Sequence, residues 1–348
     1  MTAQQGAMPA AGDDLLERPP RPAPSYAEAV DRVRTLQAQD ATSDLNPLSR
    51  TRLLGPQGEL GQDGATAPGG AWTGPTARVY VCLHGLTNSP QQYVPLAQRL
   101  LARGDATVFI PRIPRHGYAD RLTTVLASLT EAELVDATAE AMDIAAGLAP
   151  EVVVTGISMG GVLATWAAQY RPATRAVIVA PAFGLPVLPP MTIAPLTSLA
   201  LRFGNRFVWW DPRTKADAPG PKYAYPRFAT HALARIQRLG LRLVDVARTT
   251  PPVSREVWMV TNGNDMAVSN GQCRRLVAAW RAAGATNLQT YEFPRRLRLF
   301  HDIVDPEQPY QKVAITHPAL VQLLVDGQAP DLEAIGGDPA ADRAPGAA

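Results

Sequence analysis

The sequence predicts an α/β fold in which a mostly parallel central sheet carries helices on both faces. Short apolar runs alternate with amphipathic segments from residue 79 to 181 and again from 255 to 326. Such alternation is typical of parallel sheets, because each parallel strand needs a crossover connection, usually a helix. The proline-rich stretch 182–254 interrupts the alternation. We therefore expect an inserted cap over the carboxyl edge of the sheet, where such folds place their sites.

The individual elements follow from apolar patterning and from capping residues. A first helix begins after Ser25, with Glu28 three residues later as a capping pattern. The glycine-rich residues 57–76 predict a loop or a hairpin tip. Thr130 and Glu133 form a second capping box. The predicted strands are 79–83, 106–110, 152–155, 176–180, 256–261 and 288–293, and the predicted helices are 90–103, 130–148, 159–170, 270–283 and 309–325.

The predicted domain organisation is one α/β domain in two parts, 25–181 and 255–326, which flank the cap at 182–254. Residues 1–24 and 327–348 are rich in alanine, proline and glycine. Such composition buries too little apolar surface to offset chain entropy, so we expect disorder at both ends.

Composition narrows the class of protein. Of the 348 residues 46% are hydrophobic, and the formal net charge is +2. No basic block is present, so a nucleic-acid partner is not expected. The chain has neither a secretory leader pattern nor an apolar run of about 18 residues, which predicts a cytoplasmic protein without integral membrane association. Cys82 lies in an apolar run and predicts a buried thiol, and the only other cysteine is Cys273. No metal-ligand spacing occurs, so we expect no metal and no cofactor.

The stretch Thr155-Gly-Ile-Ser-Met-Gly-Gly places a serine between two glycines, directly after a β-branched run. A tight turn alone would account for the glycines. The position between a predicted strand and a predicted helix is also the context of a nucleophile elbow, in which Ser158 would project from the turn.

A serine hydroxyl needs a base, and the base needs an acid that orients it. His301 follows the strand 288–293 after a short loop, and Asp265 follows the strand 256–261. Both loops belong to the carboxyl edge that also carries Ser158. Asp265 could instead be a simple turn former. Asp302 is a weaker alternative acid, because its side chain should point away from the adjacent histidine.

The negative oxygen of an acyl-transfer intermediate needs backbone donors. The turn His84-Gly-Leu-Thr follows the strand 79–83. We expect the N–H groups of Leu86 and Met159 to face one point above Ser158. His84 is expected to hold this turn by side-chain hydrogen bonds rather than to act as a base.

With these residues in place, the chain resembles α/β-hydrolases, of the branch that includes bacterial carboxylesterases and monoacylglycerol lipases. The matching pieces span roughly residues 78–325. They are His84-Gly-Leu-Thr-Asn-Ser-Pro, Pro111-Arg-Ile-Pro-Arg-His-Gly, Gly156-Ile-Ser-Met-Gly-Gly, Gly263-Asn-Asp-Met-Ala-Val and Phe300-His-Asp. The resemblance implies an α/β-hydrolase fold with an inserted cap. It also implies Ser158 as nucleophile, Asp265 as orienting acid, His301 as base, and Leu86 and Met159 as oxyanion donors.

One departure from the family pattern is Arg115, where many relatives have glycine. Arg115 could be an ion-pair partner or could reach a polar group of the substrate. The cap matches no relative that we can name, and it sets the size of the substrate.

The sequence therefore predicts a serine hydrolase that cleaves small-molecule or lipid-like carboxylic esters, with a small to medium apolar acyl chain. An apolar acyl site would draw on Met191, Leu196 and Trp209 of the cap, although these side chains could simply pack against the main domain. The same triad could serve an amidase or peptidase, an acyltransferase or a cofactor-free perhydrolase. A non-catalytic binding protein on this fold is a further alternative. The oligomeric state is left open.

Overall fold

The computed structural model describes residues 15–56, 58–60, 74–186 and 190–335. The helices are α1 (Tyr26–Ala41), α2 (Val94–Leu101), α3 (Glu131–Leu148), α4 (Met159–Tyr170), α5 (Pro190–Arg202), α6 (Thr230–Ala247), α7 (Asn270–Ala282) and α8 (Val313–Val321). The strands are β1 (Arg52–Gly55), β2 (Gly58–Glu59), β3 (Arg78–Leu83), β4 (Ala106–Ile110), β5 (Glu151–Ile157), β6 (Arg175–Val179), β7 (Phe207–Trp209), β8 (Arg227–Ala229), β9 (Val257–Asn262) and β10 (Leu288–Phe293).

Eight strands form one sheet in the order β10-β9-β6-β5-β3-β4-β1-β2. The six strands that the apolar runs predict pair in parallel, from β10 to β4. The short strands β1 and β2 extend one edge in antiparallel pairing. The predicted α/β class with a mostly parallel sheet is thus confirmed.

The strand order reverses between β3 and β5. From β3 the chain moves outward to β4, but from β5 it moves in the opposite direction through β6 and β9. Loops that leave the carboxyl ends of β3 and β5 therefore diverge and open a crevice, which is where open α/β sheets bind ligands. The turn at 84–87 and Ser158 follow these two strands.

Helices cover both faces of the sheet. Among the described residues, α2 and α8 pack together on one face, while α3, α4, α6 and α7 form a contacting group on the other. Helix α4 lies against β5 and β6, and every residue in it except Tyr170 is buried. Ser158 is therefore followed directly by an almost fully buried helix.

Several boundaries differ from the predictions. The predicted helix 90–103 begins as a 3₁₀ turn, Pro90–Tyr93, before α2. The predicted helix 309–325 starts only at Val313, because Tyr310 adopts a left-handed φ of 60° that interrupts a helix. Strands β1, β7 and β8 were not predicted; each has four residues or fewer, which is too short for a clear period.

The predicted disordered ends overlap with described residues that pack on the domain. Leu16 is 2% exposed, and its carbonyl accepts a 2.8 Å hydrogen bond from the Trp166 indole N–H. Ala23 is also buried, and Leu332 and Ile335 pack against the core at the other end. Composition does not reveal these buried contacts. A proline-rich segment loses little entropy on folding, so a few buried apolar side chains can hold it in place. Residues 1–14 and 336–348 lie outside the described residues.

The stretch predicted as a cap contains α5, the two-stranded β7–β8 ribbon and α6. Helix α6 contacts α4 and α7, so it packs within the helical layer of the main domain. The segment before it contacts the loops at the carboxyl edge: the Tyr225 N–H donates to the Thr87 carbonyl at 2.8 Å. Its extent as an insertion, 182–254, stays a prediction.

Candidate active site

Ser158 lies at the junction between β5 and α4 with φ 59° and ψ −115°. This backbone conformation is costly for a residue with a side chain, and it persists only where neighbouring contacts enforce it. The Ser158 N–H donates to Val179 O at 3.1 Å, and the Ser158 carbonyl accepts from the Ala182 N–H at 3.0 Å. Bonds on both sides of the residue therefore hold the strained turn.

The two glycines around Ser158 are required by space. A Cβ atom on Gly160 would lie 1.9 Å from the Leu83 carbonyl oxygen. A Cβ atom on Gly156 would lie 2.1 Å from the Gly160 carbonyl oxygen. These contacts are with backbone atoms, which cannot move aside easily. The Gly-x-Ser-x-Gly spacing thus lets α4 start directly against β3 and β5.

The structure brings His301 and Asp265 together across 36 residues of sequence. His301 Nδ1 lies 2.8 Å from Asp265 Oδ2. Because the ionised carboxylate only accepts, Nδ1 carries the proton and Nε2 keeps its lone pair. His301 Nε2 is buried and makes no hydrogen bond with any described residue. The imidazole is therefore oriented as a base whose free nitrogen is available.

The loop that carries Asp265, called the acid loop for its predicted role, is held by hydrogen bonds between the Asp265 side chain and the backbone. Asp265 Oδ1 accepts hydrogen bonds from the N–H groups of Ala267 at 2.8 Å and Val268 at 3.0 Å. The Asp265 side chain has no exposed surface, whereas the His301 side chain is 23% exposed. One carboxylate oxygen is thus committed to the backbone, and the other is reserved for the histidine.

Two asparagines that the sequence analysis did not single out join the acid loop to the histidine loop. Asn262, at the end of β9, donates to the carbonyls of Leu299 and Phe300 at 3.1 and 2.9 Å. Asn264 donates to the Leu299 carbonyl at 3.1 Å. In the sequence, the indication of this role is the position of Asn262, a polar residue at the end of a buried strand. These bonds fix the distance between Asp265 and His301.

The site shifts the pKa values of both partners. Burial lowers the pKa of His301, but the negative charge and hydrogen bond of Asp265 outweigh it, so the pKa is raised above its ordinary value of 6.5. Burial raises the pKa of Asp265, yet His301 and the two backbone N–H groups lower it below the usual 3.8. These shifts favour an ionised Asp265 carboxylate beside a histidine whose pKa lies above its ordinary value.

From the predicted role of His301 as base, we expect activity to be lost at acid pH, with a midpoint above 6.5. The base works only when neutral, so kcat/KM should fall about tenfold per pH unit below the His301 pKa. A pH profile of kcat/KM tests this. Asp305 titrates in the same pH range, because burial and the Asp302 charge raise its pKa to about 7. Asp305→Asn is therefore the control that separates its titration from that of His301. The limb should persist in that variant, and a midpoint below 6.5 in the wild type would contradict the assignment to His301.

The turn at residues 84–87, called the oxyanion turn for its predicted role, is held by hydrogen bonds of its own and neighbouring residues. His84 is buried; its Nδ1–H donates to the Gly85 carbonyl at 3.0 Å, and its Nε2 accepts from the Ile113 N–H at 3.1 Å. The Asn88 N–H also donates to the Gly85 carbonyl. Since the peptide is trans, the Leu86 N–H points away from these donors. It makes no hydrogen bond with another described residue.

The second candidate donor, Met159, is the first residue of α4. The first N–H groups of a helix have no partner within the helix and lie at its positive end. The Gly85 Cα is close to Ser158, because a Cβ built on Gly85 would lie 3.7 Å from Ser158 Cβ. Both predicted donor segments thus border Ser158, and their role as an oxyanion hole stays a prediction.

A buried carboxyl network next to His301 was not predicted. Asp305 is fully buried and accepts from the Tyr223 hydroxyl at 2.8 Å and from the Asn88 amide at 3.3 Å. Asp302 points away from His301, as expected, and accepts from the Gln92 amide at 2.8 Å. The network connects the histidine loop with the oxyanion turn and with the segment before α6.

The predicted acyl-site residues lie on a largely exposed part of the chain. Met191 is 82% exposed and Leu196 is 41% exposed. Trp209 is half-buried, and the Arg227 guanidinium lies 5.5 Å from its ring centre. The neighbouring Trp210 instead contacts the oxyanion turn, because its indole N–H donates to Thr87 Oγ1 at 2.9 Å. The described contacts do not join Met191, Leu196 or Trp209 to Ser158.

Arg115 forms an ion pair with Glu133, at 2.8 Å between guanidinium nitrogen and carboxylate oxygen. Of its two predicted roles, the contacts favour the structural one. Cys82 and Cys273 are both free and buried. Burial raises the pKa of the Cys273 thiol to about 12 and that of Cys82 further, so neither supplies a thiolate near neutral pH.

Comparison with known proteins identifies the family of the chain. The model of the alpha/beta hydrolase family matches residues 80–335, most of the chain, and the protein belongs to this family. No curated protein matches the sequence significantly.

Solved structures with similar folds include a monoacylglycerol lipase from Paleococcus ferrophilus. It is 19% identical, with 73% of this chain and 97% of that chain covered and a TM-score of 0.50. Another is a structure from work on the metagenome-derived lipolytic enzymes LipS and LipT, 21% identical, with 71% and 94% covered and a TM-score of 0.49. At 19% identity, the similarity to the monoacylglycerol lipase shows the fold alone.

The described residues lack a membrane-spanning helix and a metal-binding cluster. None of their helices has the length and apolarity needed to cross a bilayer. No group of three or more histidine, cysteine, aspartate or glutamate side chains in this part of the chain is arranged to hold a metal ion.

Proposed function

We propose that the protein is a serine hydrolase that cleaves carboxylic esters through an acyl-enzyme on Ser158. The observation that carries this proposal is the strained elbow that places Ser158 between β5 and α4 at the reversal of strand order. Strain at a functional site is kept when the reaction requires the geometry. The His301–Asp265 pair and the unpaired Leu86 N–H support the same reaction.

In the proposed first step, Ser158 Oγ attacks the ester carbonyl carbon, and its proton passes to His301 Nε2. Asp265 stabilises the imidazolium through the 2.8 Å bond at Nδ1. The N–H groups of Leu86 and Met159 donate to the oxygen that becomes negative. Collapse of the intermediate breaks the ester C–O bond, and the alcohol leaves with the proton from Nε2.

In the second step, water attacks the acyl-enzyme carbonyl while Nε2 takes one of its protons. The tetrahedral intermediate then expels Ser158, which recovers the proton, and the carboxylic acid is released. The same histidine thus serves as base and acid in both halves. Apart from the ester and water, the proposed chemistry uses groups that the chain itself carries.

For the substrate, we propose small or lipid-like esters with a small to medium apolar acyl chain. Met191 and Leu196 expose apolar side chains in this part of the chain, and Trp209 is half-buried. Apolar surface of this kind suits an acyl chain, since ligand sites are mostly apolar with few polar groups. Replacing the three by alanine should shorten the preferred chain. An unchanged preference would contradict the acyl-site proposal.

The test of the function is hydrolysis of p-nitrophenyl esters from acetate to palmitate, together with labelling by a fluorophosphonate. We expect hydrolysis with an optimum at small or medium length, and one label per chain, mapped by mass spectrometry to Ser158. Added alcohols or hydrogen peroxide, with product analysis, would reveal transfer or perhydrolysis. Folded protein that neither labels nor hydrolyses any ester or amide would favour a binding role.

A further inference from the structure

Gln92 joins the oxyanion turn to the loop that carries His301. Its side chain is buried, with 2% of the residue exposed. Oε1 accepts a 2.8 Å hydrogen bond from the Gly85 N–H, and Nε2 donates a 2.8 Å hydrogen bond to Asp302 Oδ2. The partners dictate this orientation of the amide, because a backbone N–H only donates and a carboxylate only accepts. Gln92 thus transmits the position of one loop to the other.

Asp302 completes the connection on the histidine side. Its Oδ1 accepts from the N–H groups of Val304 and Asp305 at 3.0 Å each, which fixes the turn that follows His301. Its Oδ2 faces Gln92, and the Asn88 amide lies 3.4 Å from the same oxygen. Both oxygens of the Asp302 carboxylate are therefore held, and its rotation would break the hydrogen bonds that fix the turn after His301.

The connection reaches the edge of the reacting centre. A Cβ built on Gly85 would lie 3.7 Å from Gln92 Nε2 and 3.7 Å from Ser158 Cβ. A single glycine thus separates the Gln92 amide from the nucleophile. Oxyanion donors must be in place before charge develops, so small displacements of this turn are costly for the rate.

We propose that Gln92 and Asp302 are positioning residues, which set the Gly85–Leu86 peptide relative to His301 during acyl transfer. The inference rests on the proposed function, because it gives the Leu86 N–H a role in the transition state. Gln92 acts through Gly85, and Asp302 acts through Gln92 and the turn after His301. The hydrogen-bonded connection Gly85–Gln92–Asp302, which we call the relay, should therefore affect kcat and leave KM nearly unchanged.

The polarity of the relay allows a rescue experiment. Gln92→Glu keeps the acceptor for Gly85 but places two carboxylates face to face, and Asp302→Asn places two amide donors face to face. In the double variant, the new amide at position 302 can donate to the new carboxylate at position 92, and the amide oxygen still accepts from the Val304 N–H. Both hydrogen bonds of residue 92 are then present again, and only the bond between positions 92 and 302 has its donor on the opposite side.

We expect each single variant to lower kcat on the best p-nitrophenyl ester by ~10²-fold, as a small misplacement of reacting groups does. The double variant should recover to within about fivefold of the wild type, because the coupling of paired residues is not additive. The fluorophosphonate labelling rate should follow the same order. Circular dichroism and thermal unfolding establish that each variant is folded.

Gln92→Met is a neutral variant of similar size, and it carries the test if Gln92→Glu does not fold. The matched control is Gln37→Met, since Gln37 is also buried and donates to backbone carbonyls, those of Thr51 and Leu60. The control should lose stability but keep kcat. Wild-type kcat in folded Gln92→Met, or a double variant no faster than the folded single variants, would overturn the relay. Ester hydrolysis that survives Ser158→Ala would instead overturn the proposed function.

Discussion

Ser158→Ala is expected to reduce kcat for ester hydrolysis by about 10⁶-fold, the loss that comparable triads show without their nucleophile. No other described side chain can replace the hydroxyl at the elbow, since both cysteines are buried as thiols. KM should change little, because Ser158 bonds to the substrate only as reaction proceeds. Fluorophosphonate labelling should disappear in the same variant.

The matched control for this substitution is Ser128→Ala. Ser128 is exposed, and its hydroxyl donates to the Val125 carbonyl in a surface turn. We expect wild-type activity and labelling there. If purified Ser158→Ala protein kept more than about a hundredth of the wild-type kcat, a covalent serine mechanism would be untenable, given the size of the expected loss.

Asp265→Asn is expected to lower kcat by about 10⁴-fold, as the loss of the orienting carboxylate does in other triads. The geometry explains why an isosteric change should cost so much. The N–H groups of Ala267 and Val268 hold the remaining carbonyl oxygen, so the new NH₂ must face His301 Nδ1. That contact favours the tautomer with a proton on Nε2, which cannot accept from Ser158.

Asp331→Asn provides the control for Asp265→Asn. Asp331 Oδ1 also accepts from two successive backbone N–H groups, those of Glu333 and Ala334, but its side chain lies on the surface. We expect unchanged kcat in this variant. Wild-type kcat for Asp265→Asn at neutral pH would show that Asp265 only shapes its loop.

The elbow also relates stability to function. A φ of 59° at Ser158 costs on the order of 1–3 kcal/mol. The surrounding fold offsets this cost with the buried helix α4 and with backbone bonds to Val179 and Ala182. The two glycines contribute by the absence of Cβ atoms, which would otherwise meet backbone oxygens.

Much of the fold was predictable because local patterns and the sheet agree. The apolar runs at 79–83, 106–110 and 288–293 became parallel strands, and the Thr130–Glu133 capping box starts α3 as expected. The anchored residues near Leu16 were not predictable, because a single buried contact has no period. Asn262, Gln92 and Asp305 were missed for a related reason: their partners are distant in sequence.

The sequence by itself determined the alternation of strands and helices, the serine between its two glycines, and the candidate residues Asp265 and His301. These depend on residue type and on short spacings, which a chain carries before it folds. Only the tertiary structure decided which distant side chains meet. It paired His301 with Asp265, turned Asp302 toward Gln92 and buried Asp305 against Tyr223. The physical reason is that these loops all leave the carboxyl edge of the sheet around the crevice at the reversal of strand order, and hydrogen bonds between loops then select one arrangement.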